Sequence, residues 1–201
     1  MFALVESGSI TKMLSGNQGI IIDGVQHPRA IYTLWTEAER NAIGIYTVEI
    51  DESKKKDDKW YINTDITYSF GSNKVTGSYG DATAKPHTDI LFTQEDEDNG
   101  LGTKDDVKTE GLKTGLIRNI KTQVQSILNE TDWYVTRKSE EDTAIPSSIT
   151  THRKAVRSKQ AEMETAITNA SDTPALETLY TYTRQDDGSL TRPLGELPTL
   201  D

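Results

Sequence analysis

The densest chemistry in this sequence is an acidic run in which Glu95, Asp96, Glu97 and Asp98 crowd against Asn99 and Gly100. A calcium loop of the EF-hand kind needs clustered oxygen ligands and a glycine at its sharp turn. If Glu95 stands first, then Glu97, Asn99, Gly100 and Asp106 fall at the third, fifth, sixth and twelfth positions. The match is poor, because Glu replaces the shorter Asp at the first and third ligands and Asp106 lacks the reach of the bidentate Glu that closes such a loop. The run reads instead as a solvated acidic linker over residues 93–106, too polar to bury a core of its own.

Other candidates for chemistry are no stronger. His27, His87 and His152 stand apart, and none belongs to a His-x-x-x-His or Glu-x-x-His pattern that would set two ligands on one helix face. Between Gly71 and Gly77 there is neither the Gly-Lys-Ser/Thr ending of a phosphate loop nor an amphipathic helix behind it. Absence of cysteine excludes disulfides, thiolate metal sites and a cysteine nucleophile. No pair among the 32 carboxylates is singled out by spacing. The expectation is a protein with no catalytic residues, no metal and no cofactor.

Two groups of side chains suggest binding instead. Arg153, Lys154, Arg157 and Lys159 make a local basic patch. The chain as a whole carries a net charge of −10, whose field repels phosphate backbones and anionic membranes, so the patch reads as a solvated helix face and nucleic acid is not an expected partner. Trp133 and Tyr134 follow directly on a helix-like segment, where large aromatic rings either close a core or anchor a partner protein.

The elements that must position these residues fall into an α+β arrangement. Residues 1–92 read as an antiparallel β-rich domain, with strands over 2–5, 9–14, 19–22, 25–35, 43–50, 60–70 and 74–79, and a tight turn at Asp23 and Gly24. Thr36 with Glu37 and Glu39 behind it predicts a single capped helical turn. After the linker the period changes. Leu112, Leu116, Ile120, Val124, Ile127 and Leu128 share one helix face, and a second helix follows Pro146. Its apolar seam is thin: Ile149, Val156, Met163 and Ala170 recur every seven residues, with Ile167 beside them. Residues 107–170 are thus expected to form an α-helical hairpin, and residues 171–201 a short β-hairpin turning at Asp187 and Gly188 followed by an extended tail.

Across residues 112–170 the chain resembles the helical module of tail fibre assembly and tail assembly chaperone-like proteins of tailed bacteriophages. The resemblance rests on Thr131, Asp132 and Trp133 after a helix, on a loop ending Ile145-Pro146, and on the helix carrying Arg153, Val156 and Arg157. His152 departs from it, standing where a Tyr commonly precedes the Arg. What the resemblance implies is a virus-assembly role without catalysis, in which the chain binds tail or tail-fibre subunits.

Only 34% of the residues are hydrophobic, so a partner, or a second copy in a homo-oligomer, is expected to complete the apolar surface. Trp133, Tyr134, Ile149, Val156, Met163 and Ile167 are the expected partner-binding residues. The start of the chain lacks a secretory signal and no run is long enough to span a bilayer, so no membrane insertion is expected. The overall expectation is a structural or adaptor protein of the virion tail, made in a host cytoplasm. The alternative is a dissociable chaperone absent from the mature particle.

Overall fold

A computed structural model describes residues 1–200 and divides the chain into two compact units, Met1–Thr83 and Ala84–Asp201. The architecture is α+β, as the sequence implies. In the first unit, β1 (Phe2–Glu6) and β2 (Ser9–Leu14) form a hairpin whose turn residues Ser7 and Gly8 both take positive φ. A second hairpin, β3 (Ile20–Ile22) with β4 (Val25–His27), turns at Asp23 and Gly24 with the same signature, which matches the twist of the flanking strands. Two short helices follow, α1 (Ile31–Leu34) and α2 (Glu37–Ala42). Thr36 and Glu39 cap α2 reciprocally through side chain and backbone.

Strand β5 (Ile45–Asp51) then pairs with β1. After the two-residue β6 (Tyr61–Ile62) come β7 (Thr67–Gly71) and β8 (Lys74–Ser78), with β9 (Thr83–Ala84) at the boundary between the units. The main sheet runs β2-β1-β5-β8-β7 and curls until β2 approaches β7. Curling lets β1 bury both faces. Leu4 joins Leu14, Ile20, Ile22, Ile31, Tyr32 and Ile45 on one side, while Ala3 and Val5 join Val48 and Val75 on the other.

Three expectations for this half are corrected. The stretch 25–35 is a strand only as far as His27; Pro28 removes a donor from the ladder, and Ile31–Leu34 winds into α1. The stretch 60–70 contributes strand only at Tyr61–Ile62 and Thr67–Gly71. The sheet is also not wholly antiparallel, since β5 and β8 run parallel from Val48 opposite Val75 to Asp51 opposite Ser78.

The second unit opens with the hairpin of β10 (Ile90–Leu91) and β11 (Val107–Thr109), which encloses α3 (Gln94–Asp98). The acidic run is therefore folded rather than a bare linker. Then come α4 (Leu112–Asn129), α5 (Asp132–Glu141) and α6 (Ser147–Asn169). Helices α4 and α6 pack antiparallel: Lys113 at the start of α4 donates to Thr168 O near the end of α6, and Arg153 near the start of α6 donates to Leu128 O near the end of α4. This is the expected hairpin, although the connection between its arms is largely helical. Residues 171–201 begin with a helix that the sequence reading missed, α7 (Thr173–Tyr180), capped by the Asp172 side chain and with Pro174 in its first turn. The expected small hairpin follows as β12 (Thr183–Arg184) and β13 (Leu190–Thr191). The tail then packs down, with Leu194 buried and its N–H donating to Leu179 O.

The start of α4 fixes the helical pair in place. An α-helix leaves its first N–H groups without internal partners. Here Leu112 N–H donates to Pro86 O, Lys113 N–H to His87 O, and Gly111 N–H to the Asp89 carboxylate, which also accepts from Thr114 Oγ1. Such close approach requires the glycine, because a Cβ at position 111 would lie 2.2 Å from the Thr88 carbonyl carbon. Replacing Gly111 with Ala is expected to lower the stability of the second unit by about 1–3 kcal/mol, read as a fall in the denaturation midpoint, because the backbone must move to admit the methyl group.

Candidate partner-binding surface

The surface is built at the junction of α4 and α5. Where α4 ends, its last carbonyls need donors. Thr131 supplies two to Leu128 O, from its N–H and from its Oγ1, and is itself buried. Arg153, reaching across from α6, completes the set. Its Nη1 donates to Leu128 O at 2.8 Å and to Thr131 Oγ1 at 2.7 Å, while Nη2 sits 2.8 Å from the Asp132 carboxylate. With its side chain only 13% exposed, this guanidinium ties the end of α4 and the first turn of α5 to α6. A planar fork can serve three acceptors in fixed directions, which a lysine cannot.

Held in this way, α5 carries an aromatic stack. The Trp133 and Tyr134 rings lie 3.7 Å apart between centroids and are inclined by 30°. The Arg137 guanidinium covers both, at 4.8 Å from the Trp133 ring centre and 5.5 Å from that of Tyr134. Trp133 remains 51% exposed, and Tyr134 is half-buried beneath the arrangement. The Nε of Arg137 is buried with no hydrogen-bond acceptor, and the side chain makes no ion pair among the described residues.

The expected partner-binding residues therefore separate into two groups. Trp133 and Tyr134 lie together on the surface of α5. Ile149, Val156, Met163 and Ile167 do not join them: they are 6%, 0%, 2% and 0% exposed and form the interior between α4 and α6. The seam looked too thin to complete itself because part of its cover comes from elsewhere. Leu116, Ile120 and Val124 of α4, Leu176 of α7 and Leu194 of the tail are all buried in the same unit, and His152 is buried within α6. Beside Met163 and Ile127 a cleft of about 360 Å³ remains, bordered by Arg192 and Glu196.

The basic patch also divides. Arg153 is spent on the helix junction, whereas Lys154 and Arg157 are exposed. Arg137, which the sequence reading overlooked, has a signal in its spacing, four residues after Trp133 and therefore on the same helix face.

In the acidic run, Asp96 closes the α3 cap by accepting from Thr93 N–H and Oγ1 at 2.9 Å, and it pairs with Lys108 of β11 at 2.7 Å. The Lys108 ammonium and then the Thr93 donors hold its carboxyl at about 2. Among the described residues, no group of three or more His, Cys, Asp or Glu side chains is placed to hold a metal ion. Nor is any helix of the described residues long and apolar enough to cross a membrane. Comparisons with protein-family models, with curated proteins and with solved structures give no match.

Two outcomes are expected. Truncation of Arg153 to Ala should cost about 2 kcal/mol by removing charge-assisted hydrogen bonds at the junction, and Lys at this position should recover only part of it. Urea unfolding of the two variants measures both. The Asp96 carboxyl is depressed, so its contribution to the hairpin is complete above its unfolded value near pH 4 (roughly) and is lost as pH falls through about 2. Amide exchange at Thr93 and Asp96 should quicken across that interval, and D96N should abolish the dependence.

Proposed function

We propose that this chain is a non-enzymatic structural or adaptor protein of a bacteriophage tail, retained in the virion by contact with a tail or tail-fibre subunit. The observation that carries this reading is a coincidence of position. The residues that resemble phage tail assembly proteins, from Thr131 to Trp133, belong to the segment that bears the exposed Trp133, Tyr134 and Arg137 stack. Trp, Tyr and Arg are the side chains over-represented where binding energy concentrates, the rings because they cover a large area at modest entropic cost and Arg because its planar fork stacks and hydrogen-bonds at once. The hydrophobic seam of α6 plays no part in this contact, being closed within the unit. Partner binding in this reading rests on a compact aromatic anchor.

Mass spectrometry of purified particles tests the location, with this chain expected among the tail components. If it is missing from mature particles but co-purifies with unassembled fibre subunits, it is the dissociable chaperone instead. The W133A variant should lose at least about tenfold in affinity for the tail partner while its melting temperature stays nearly unchanged, since a half-exposed ring contributes little to the fold. Retention of full affinity would remove α5 from the contact.

A further inference from the structure

We propose that α5 docks onto a second copy of this chain, and that the surface it meets there is the β10, α3 and β11 hairpin. This rests on the reading of α5 as a contact surface and specifies the partner. The Arg137 guanidinium lies over two adjacent rings, which supply no acceptor for its Nε, and no carboxylate of the described residues pairs with it. What α5 lacks is a carboxylate arriving at the guanidinium edge, next to an apolar surface that can cover the Trp133 ring.

The hairpin has both. Leu91 and Val107 stand directly opposite each other across the strands and are 44% and 52% exposed, and Ile90 and Leu101 are also uncovered. The helix it encloses presents Glu95, Glu97 and Asp98 to solvent, while Asp96 is held by Lys108. The Glu95 backbone carbonyl accepts from Asn99 N–H, whereas its carboxylate is exposed and makes no ion pair among the described residues. Aliphatic side chains beside carboxylates complement aromatic rings beside a cation, in both polarity and charge. The two surfaces lie on different elements, so a contact made once leaves one of each uncovered and propagates, whereas a contact made reciprocally closes a dimer.

Sedimentation velocity on the full chain over a wide concentration range tests this. The expected result is a mass that rises with concentration above that of one chain. R137E, and separately E95K/E97K, should each weaken association at least tenfold, with the circular dichroism of the native chain retained. Combining all three substitutions in one chain should restore association, because the ion pair re-forms with its signs exchanged. A mass equal to one chain at every concentration, unchanged association in R137E, or no recovery in the combined variant would each overturn the proposal. Binding of a strictly monomeric chain to tail subunits through Trp133 would overturn this inference alone. Loss of that binding as well would overturn the reading of α5 itself.

Discussion

Three acceptors converge on one guanidinium at the junction of α4, α5 and α6, and the surface geometry follows from that. The Leu128 carbonyl, the Thr131 hydroxyl and the Asp132 carboxylate belong to the end of one helix and the beginning of the next, and Arg153 comes from a third. Without that charge, Thr131 would still donate to Leu128 O, but the end of α4 and the Asp132 carboxylate would lose their common tie to α6. With it, the direction in which α5 leaves the bundle is set. An exposed aromatic stack is useful to a partner only if its orientation is fixed before contact, since ordering it during binding would weaken the complex.

The small share of apolar residues turns out to be distributed economically. Each unit has a core of its own: the first wraps a curled sheet around β1, and the second closes α4 against α6 with help from α7 and the tail. A low apolar fraction therefore leaves the helical seam covered and shows instead in the polar surfaces around it. The uncovered apolar positions of the second unit include Trp133 and Val135 on one helix and Ile90, Leu91, Leu101 and Val107 on and around one hairpin. Tyr182, Leu190 and Leu200 are exposed as well, and single apolar side chains of this kind are ordinary; α5 and the β10–β11 hairpin differ in carrying theirs beside unpaired charge.

Much of the fold was legible in the sequence where a local rule was strong. Asp23 with Gly24, and Ser72 with Asn73, sit between short strands and adopt the positive φ angles that tight hairpins require. The apolar period from Leu116 to Val124 is that of a helix, and its face is buried as the period implies. Long-range choices left no such trace. The parallel pairing of β5 with β8 depends on a crossover whose strands are short. Residues 173–180, by contrast, carry a local trace: Asp172 caps them, Pro174 stands in the first turn, and Ala175, Leu176, Glu177 and Leu179 favour a helix. The site was half legible: Trp133 and Tyr134 announce themselves by type, whereas the closure of Ile149, Val156, Met163 and Ile167 rests chiefly on packing against α4, which a period read within α6 alone does not reveal.

The way α4 begins also governs how the helical part of this chain can be handled in isolation. Its first donors are satisfied by carbonyls at Pro86 and His87 and by the Asp89 carboxylate, and Thr173 Oγ1 donates to Lys85 O at 2.6 Å. A fragment cut at the apparent helix boundary, Leu112, would shed all of these acceptors together. The shortest autonomous piece therefore extends upstream at least to Lys85, and the short segment 85–89 ahead of the hairpin is the foundation on which the helices stand.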